Sequence, residues 1–131
     1  MIDKTDLLKA EVQTKRIYTL LNEVMDLSRQ LAGALDRNDA VTIRMLISMR
    51  REPLEKVLRA RQILEEQREA LTGEVGDRLA ELLNGEPART EEEQVLAKQV
   101  SVNRRLLEQA LALDQRLNQK LTHDKSIYQN Q

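Results

Sequence analysis

From Leu7 onward the chain places apolar or small residues at alternating intervals of three and four: Leu7, Ala10, Thr14, Ile17, Leu21, Val24, Ser28, Leu31 and Leu35. That alternation is the heptad period of a helical seam and has no counterpart in the period of two that a half-buried strand requires. It predicts a first helix over about residues 6–35. Arg37-Asn38-Asp39 then supplies a stop and a fresh start, because Asn tolerates the left-handed conformation that ends a helix and Asp accepts hydrogen bonds from the first amides of the next one. A turn this short implies that the second helix runs back along the first.

The second segment carries Leu46, Met49, Pro53, Val57, Ala60, Leu64 and Leu71 on one stripe, which predicts a helix over about residues 40–71. Pro53 lies inside that pattern, and with no good capping residue before it and periodicity on both sides it predicts a kink near 53 rather than a stop. Thr72-Gly73 and Gly76 end the regularity, opening a connection over 72–89 in which Asp77 to Leu83 can form a short helix, capped by Asp77 and closed by Asn84-Gly85 before Pro87. Thr90-Glu91-Glu92-Glu93 has the form of a capping box, with acids suited to the positive end of a helix dipole, so a third helix is expected over about 91–122, followed by a loose tail over 123–131.

The third helix shows more apolar surface than one seam needs. One stripe contains Leu96, Val100, Leu107, Ala110, Leu117 and Leu121; a second contains Asn103, Leu106, Ala110, Leu113 and Leu117. One suits the chain's own core and leaves the other for a partner, unless all of these residues pack into a closed or dimeric bundle. Asn103 also fits a register-setting polar residue within a seam. The expected fold is all-α: an elongated antiparallel helical hairpin plus a long third helix, as a three-helix bundle or coiled-coil-like assembly, forming a single helical domain over 1–131.

Composition narrows the chemistry. Aromatics are 2%, with no Phe or Trp, so the core must be aliphatic; charged residues are 33%, which suits long helices lined by solvent. No cysteine is present, removing disulfides and thiolate metal sites, and the opening MIDKTDLLKA lacks the apolar run of a signal peptide, so a cytoplasmic protein is expected. The net charge of −1 speaks against a general polyanion binder, although residues 72–93 hold seven acids against two bases and residues 94–131 six bases against three acids. Arg50-Arg51 and Arg104-Arg105 are interleaved with acids, and Tyr18 and Tyr128 are too few for a base-stacking platform, so no nucleic acid is expected as partner. No stretch reaches the length needed for membrane insertion.

A lone His123 cannot assemble a metal site, the Glu-x-x-His pattern is absent, and there is no phosphate loop, nucleophile elbow or Cys–His couple. Small all-helical chorismate mutases catalyse with Arg and Lys on bundle helices, for which Arg44, Arg50, Arg51, Lys56, Arg59 and Arg61 would be the counterparts. Their alternation with acids, as in Glu52–Lys56 and Glu55–Arg59, instead reads as a solvated helix face. The expectation is a binding protein that is not an enzyme and needs no cofactor.

The run Asn103-Arg104-Arg105-Leu106-Leu107, followed by Leu111, Leu117, Leu121 and Tyr128, resembles the C-terminal portion of the FlgN family of flagellar export chaperones. The stretch from Ala34 to Leu71, ending in Arg68-Glu69-Ala70-Leu71, is similar to the family's second helix. The resemblance implies a cytoplasmic chaperone, active in bacterial flagellum biogenesis, that binds the amphipathic terminal helices of hook-associated proteins before type III secretion and delivers them to the export gate. It adds Tyr128 to Asn103, Leu106, Leu107, Ala110, Leu111, Leu113, Leu117 and Leu121 as candidate partner-binding residues, with Met25, Met45 and Met49 lending adaptability where they line a groove. A self-associating helical protein, for example a homodimer, is the alternative.

Overall fold

The structure, a computed structural model, describes the backbone of residues 1–129 and the side chains of residues 1–121. Among the described residues there are four helices: α1 (Lys4–Asp36), α2 (Ala40–Ala70), α3 (Gly73–Leu83) and α4 (Gln94–Gln129). The chain is thus all-helical, and no strand occurs among the described residues.

All nine residues of the first seam are buried. Ile2, outside that pattern, is buried too: it precedes the N-cap Asp3 and enters the same core cluster as Leu7, a pairing that fixes how the chain enters the helix. At the other end Asn38 takes φ 56°, with Asn38 N–H donating to Leu35 O and Asp39 N–H to Ala34 O, so the last carbonyls of α1 are satisfied. Asp39 then caps α2: it accepts from Thr42 N at 3.2 Å and from the Thr42 hydroxyl at 2.6 Å, which holds its carboxyl below the usual carboxylate range. One short turn therefore ends one helix and starts the next.

α1 is the centre of the molecule. It buries fourteen side chains where α2 buries five, because it packs against α2 on one side and α4 on the other. Two aliphatic clusters result. The larger joins Ile17, Leu20 and Leu21 of α1 to Val57, Ala60 and Leu64 of α2, Leu79 and Leu82 of α3, and Leu96 and Val100 of α4. The second gathers Leu27, Leu31 and Leu35 with Leu46 and Leu117. α2 passes unbroken through Pro53, which is itself buried on the stripe.

Three boundaries differ from the sequence expectation. α3 begins at Gly73 rather than Asp77, with Thr72 as its N-cap. Thr72-Gly73 separate α2 from α3 as expected, whereas Gly76 lies inside α3 and does not break it. Gly73, at φ +65°, turns the chain, and Gly76 lets α3 pass so close to the end of α2 that a Cβ would sit 2.3 Å from the Leu71 carbonyl oxygen. α4 starts at Gln94 instead of Glu91, since Thr90 to Glu93 form a turn, and its backbone stays helical to Gln129 where a tail from 123 was expected.

Candidate helix-binding groove

Among the described residues the backbones of α2 and α4 do not pack against one another; α1 lies between them. The consequence is an open groove of about 790 Å³. Thr14, Ile17 and Leu21 of α1 line it between two walls, Val57 to Arg68 of α2 and Val100 to Leu107 of α4, and Ala80, Leu83 and Asn84 of α3 close one end. Two turns beyond Leu58 and Leu107, Arg50 and Asp114 form an ion pair that ties the walls together.

Each boundary has a local cause. Asn103, 9% exposed, donates from Nδ2 to the Thr14 carbonyl at 2.7 Å and accepts from Gln99 Nε2 at 3.0 Å, pinning α4 to α1 beside the groove. Thr14 turns its own hydroxyl to the Glu11 carbonyl at 3.0 Å, so this buried polar cluster is hydrogen-bonded throughout. At the α3 end, Asn84 and Gly85 close the helix as foreseen: Gly85, at φ 96°, donates to Leu82 O and Glu86 N–H to Glu81 O.

The connection from α3 to α4 is held by charge. Arg78 donates to Glu93 at 2.7 and 3.1 Å, to Glu81 at 2.9 Å and to the Pro87 carbonyl at 2.9 Å, with both Arg78 and Glu93 buried to about nine-tenths. Glu93 further accepts from Arg89 N–H at 2.9 Å, while its amide donates to the Thr90 hydroxyl at 3.3 Å. The capping box of the sequence is therefore present in altered form, its carboxylate reaching back to Arg89. These donors, Arg78 first, hold the Glu93 carboxyl below its ordinary value, and the acceptors Glu93 and then Glu81 in turn raise that of the Arg78 guanidinium.

The groove is aliphatic at its floor and cationic at its rim. Arg61, Arg68 and Arg104 line it against a single carboxylate, Glu65, which is paired with Arg68 within the α2 wall and lowered by it. Leu58 on α2 is 64% exposed at the edge. One turn past Leu107, Leu111 is 59% exposed and lies outside the groove lining.

The candidate residues of α4 fall into three groups. Asn103, Ala110 and Leu117 are buried; Leu106, Leu107, Leu113 and Leu121 are half-buried, the first two packed on the larger cluster and the others on the smaller. Leu111 is exposed, and the side chain of Tyr128 lies outside the described residues, as does that of His123. The two stripes thus merge into one broad face toward α1, and only Asn103 and Leu107 of this set line the groove. None of the three methionines lines it either: Met25 is buried, and Met45 and Met49 are half exposed. Sequence reasoning did not assign the opposite wall, Leu58, Arg61, Gln62 and Arg68, to partner binding: Arg61 was weighed only as a catalytic cation, Arg68 only as part of a family ending, and Leu58 lies next to, rather than on, the seam.

Of the cations considered for catalysis, Arg50 is engaged by Asp114 and Lys56 by Glu52 at 3.0 Å, and only Arg61 reaches the groove. No group of three or more His, Cys, Asp or Glu side chains able to hold a metal ion occurs among the described residues, and no helix there is long and apolar enough to cross a membrane. No family model, curated protein or solved structure matches this chain.

Proposed function

We propose that the chain is a helix-binding chaperone of the type that its C-terminal resemblance implies, capturing the amphipathic terminal helices of flagellar hook-associated proteins in the cytoplasm before export. The observation that carries the reading is the groove itself: α2 and α4 stand apart, and Leu58, Leu83 and Leu107 keep apolar surface in the space between them, above the buried Ile17 and Leu21 of α1. In this reading α1 and α2 form the hairpin and α4 is the long third helix that completes the binding face. The α4 wall, Val100 to Leu107, spans about 10 Å at about 1.5 Å per residue, the length of roughly two helical turns of a client. Side chains at i, i+3, i+4 and i+7 of the client would enter it, the helix-in-groove mode.

Aliphatic walls without aromatic anchors suit a chaperone that must release its client, because Leu and Val contribute area without the directional contacts of Trp or Tyr hot spots. The absence of a motif for nucleotide hydrolysis in the sequence agrees with release driven by transfer to the next partner.

The test is titration of terminal-helix peptides from hook-associated proteins into the full chain by calorimetry, beside the variant Leu58→Glu. Leu58 lines the groove and is exposed, so the variant is expected to keep its helicity and to lose at least about tenfold in affinity. Binding unchanged in the variant would remove the groove from the mechanism. Failure of every hook-associated helix, with another amphipathic helix still binding, would remove the flagellar assignment alone.

A further inference from the structure

The rim of the groove defines the partner more narrowly than the floor does. Arg61 stands on the α2 wall and Arg104 on the α4 wall, both exposed, and neither is ion-paired among the described residues. Arg68 adds a third guanidinium, already paired within its own wall with Glu65 and Glu69, so Arg61 and Arg104 are the two cations open to a partner. Three cations thus line the groove against one carboxylate, on a chain whose formal net charge is −1. The local sign is opposite to that of the whole molecule. A surface helix face normally balances its arginines with acids at i±4, as Glu52 does for Lys56 on the outer face of α2. Glu65 and Glu108 stand four residues on from Arg61 and Arg104, but Glu65 pairs with Arg68 instead and neither acid reaches its arginine among the described residues.

We infer that the occupant is an amphipathic helix carrying carboxylates on both flanks of a short aliphatic stripe, one flank meeting Arg61 and the other Arg104. This rests on the groove being a helix-binding site and specifies the chemistry of what it takes. Glutamates at the flanking positions of a helix seam lie where the two walls present their guanidiniums, the arrangement by which charge sets partner choice and orientation in paired helices. Guanidinium groups at the edge of an apolar site receive carboxylates through paired hydrogen bonds, and the cationic rim accelerates encounter with an acidic partner more than it deepens the final complex. A helix flanked by Lys would bring like charges together on both walls and is excluded by repulsion rather than by shape.

Two synthetic stapled helices test this on the full chain, with one shared aliphatic stripe flanked on both sides by Glu in the first and by Lys in the second. Fluorescence anisotropy is expected to show the Glu-flanked helix binding at least about tenfold more tightly, with its association rate falling severalfold from about 0.05 to about 0.5 M salt. Arg61→Glu/Arg104→Glu should reverse the preference, and Arg61→Gln/Arg104→Gln should level it, with circular dichroism reporting that both variants stay folded. Equal binding of the two helices by the unaltered chain would overturn the charge inference and leave the groove reading standing. Binding of neither would bring down the groove reading and this inference with it. A dimer seen in sedimentation that excess Glu-flanked helix fails to dissociate would assign the groove to a second copy of the chain, overturning the proposal as well.

Discussion

Asn103 is where the attachment of α4 to α1 can be tested, because one side chain there combines volume, a hydrogen bond and a strict requirement for a donor. Its Nδ2 donates to the Thr14 carbonyl at 2.7 Å in a site where Asn103 is only 9% exposed. Thr14 lies well inside α1, so its carbonyl keeps its helical partner whatever occupies position 103. Asn103→Leu therefore leaves no acceptor orphaned, and a stability change within about 1 kcal/mol is expected. Asn103→Ala removes the bond and leaves space, at about 1–2.5 kcal/mol. Asn103→Asp is different in kind. It turns a carboxylate oxygen toward a carbonyl oxygen in a buried site, which costs about 3 kcal/mol or more at neutral pH.

The sign of the pH dependence separates these cases. Burial and repulsion raise the folded-state pKa of the introduced carboxyl above its unfolded value. The destabilisation is then complete above the folded pKa and fades as pH falls through it, since the protonated group donates to Thr14 as the amide did. Urea unfolding followed by circular dichroism at pH 7 and near pH 4, each variant measured against the unaltered protein at the same pH, reads this directly. If Asn103→Asp matched Asn103→Ala at both values, position 103 would not be buried against that carbonyl and the account of how α4 is held would be wrong.

Two further outcomes are expected. Glu93→Gln weakens the clamp on Arg78 and should cost about 1.5–3 kcal/mol at pH 7. The Glu93 carboxyl is depressed in the folded state, chiefly by Arg78, so its contribution is present above the unfolded value and lost as pH falls through the folded one; the gap between the two proteins should close in acid, and a gap independent of pH would show that the charge of Glu93 does not matter. Gly76→Ala should destabilise by about 1–3 kcal/mol because the new methyl meets backbone at Leu71, whereas Gly33→Ala meets only the flexible end of Arg37 at 3.2 Å and should gain about 0.5–1 kcal/mol. Thermal melts of the pair shifting in the same direction would contradict that contrast.

What was legible in the sequence follows from which interactions are local. The seam from Leu7 to Leu35 is buried at every position, and Asn38, Asp39, Asn84 and Gly85 terminate or cap helices as their residue types require. Periodicity and caps are set within a few residues and so appear in the sequence. The extent of α3 was misread because Gly76 looks the same whether it breaks a helix or admits a neighbouring backbone. Glu93 was assigned to a cap while its main partner, Arg78, lies fifteen residues away across a turn. The merging of the two α4 stripes on α1 was hidden for a similar reason: the width of an apolar face shows how much can be buried, and the packing of the other helices decides what covers it.

The groove belongs to this non-local class, and its persistence in the absence of a client has a physical basis. Ile17 and Leu21 are already covered, but Leu58, Leu83 and Leu107 keep apolar surface in the groove, and nothing in the chain connectivity prevents α2 and α4 from closing over it. Closure would bring Arg61 toward Arg104 with a single carboxylate among the lining residues to offset them, and would desolvate both. At the same time Asn103 fixes α4 on α1 at one point, the Arg78–Glu93 pair fixes its start against α3, and the Arg50–Asp114 pair spans the walls at a reach set by one long side chain. An arginine bridge holds two helices at a distance that leucine packing would shorten. The same charges that select a partner therefore keep the site open for it, which is why neutralising Arg61 and Arg104 should raise stability slightly while it weakens discrimination, a combination that thermal melts of the Gln variant beside its binding data will reveal.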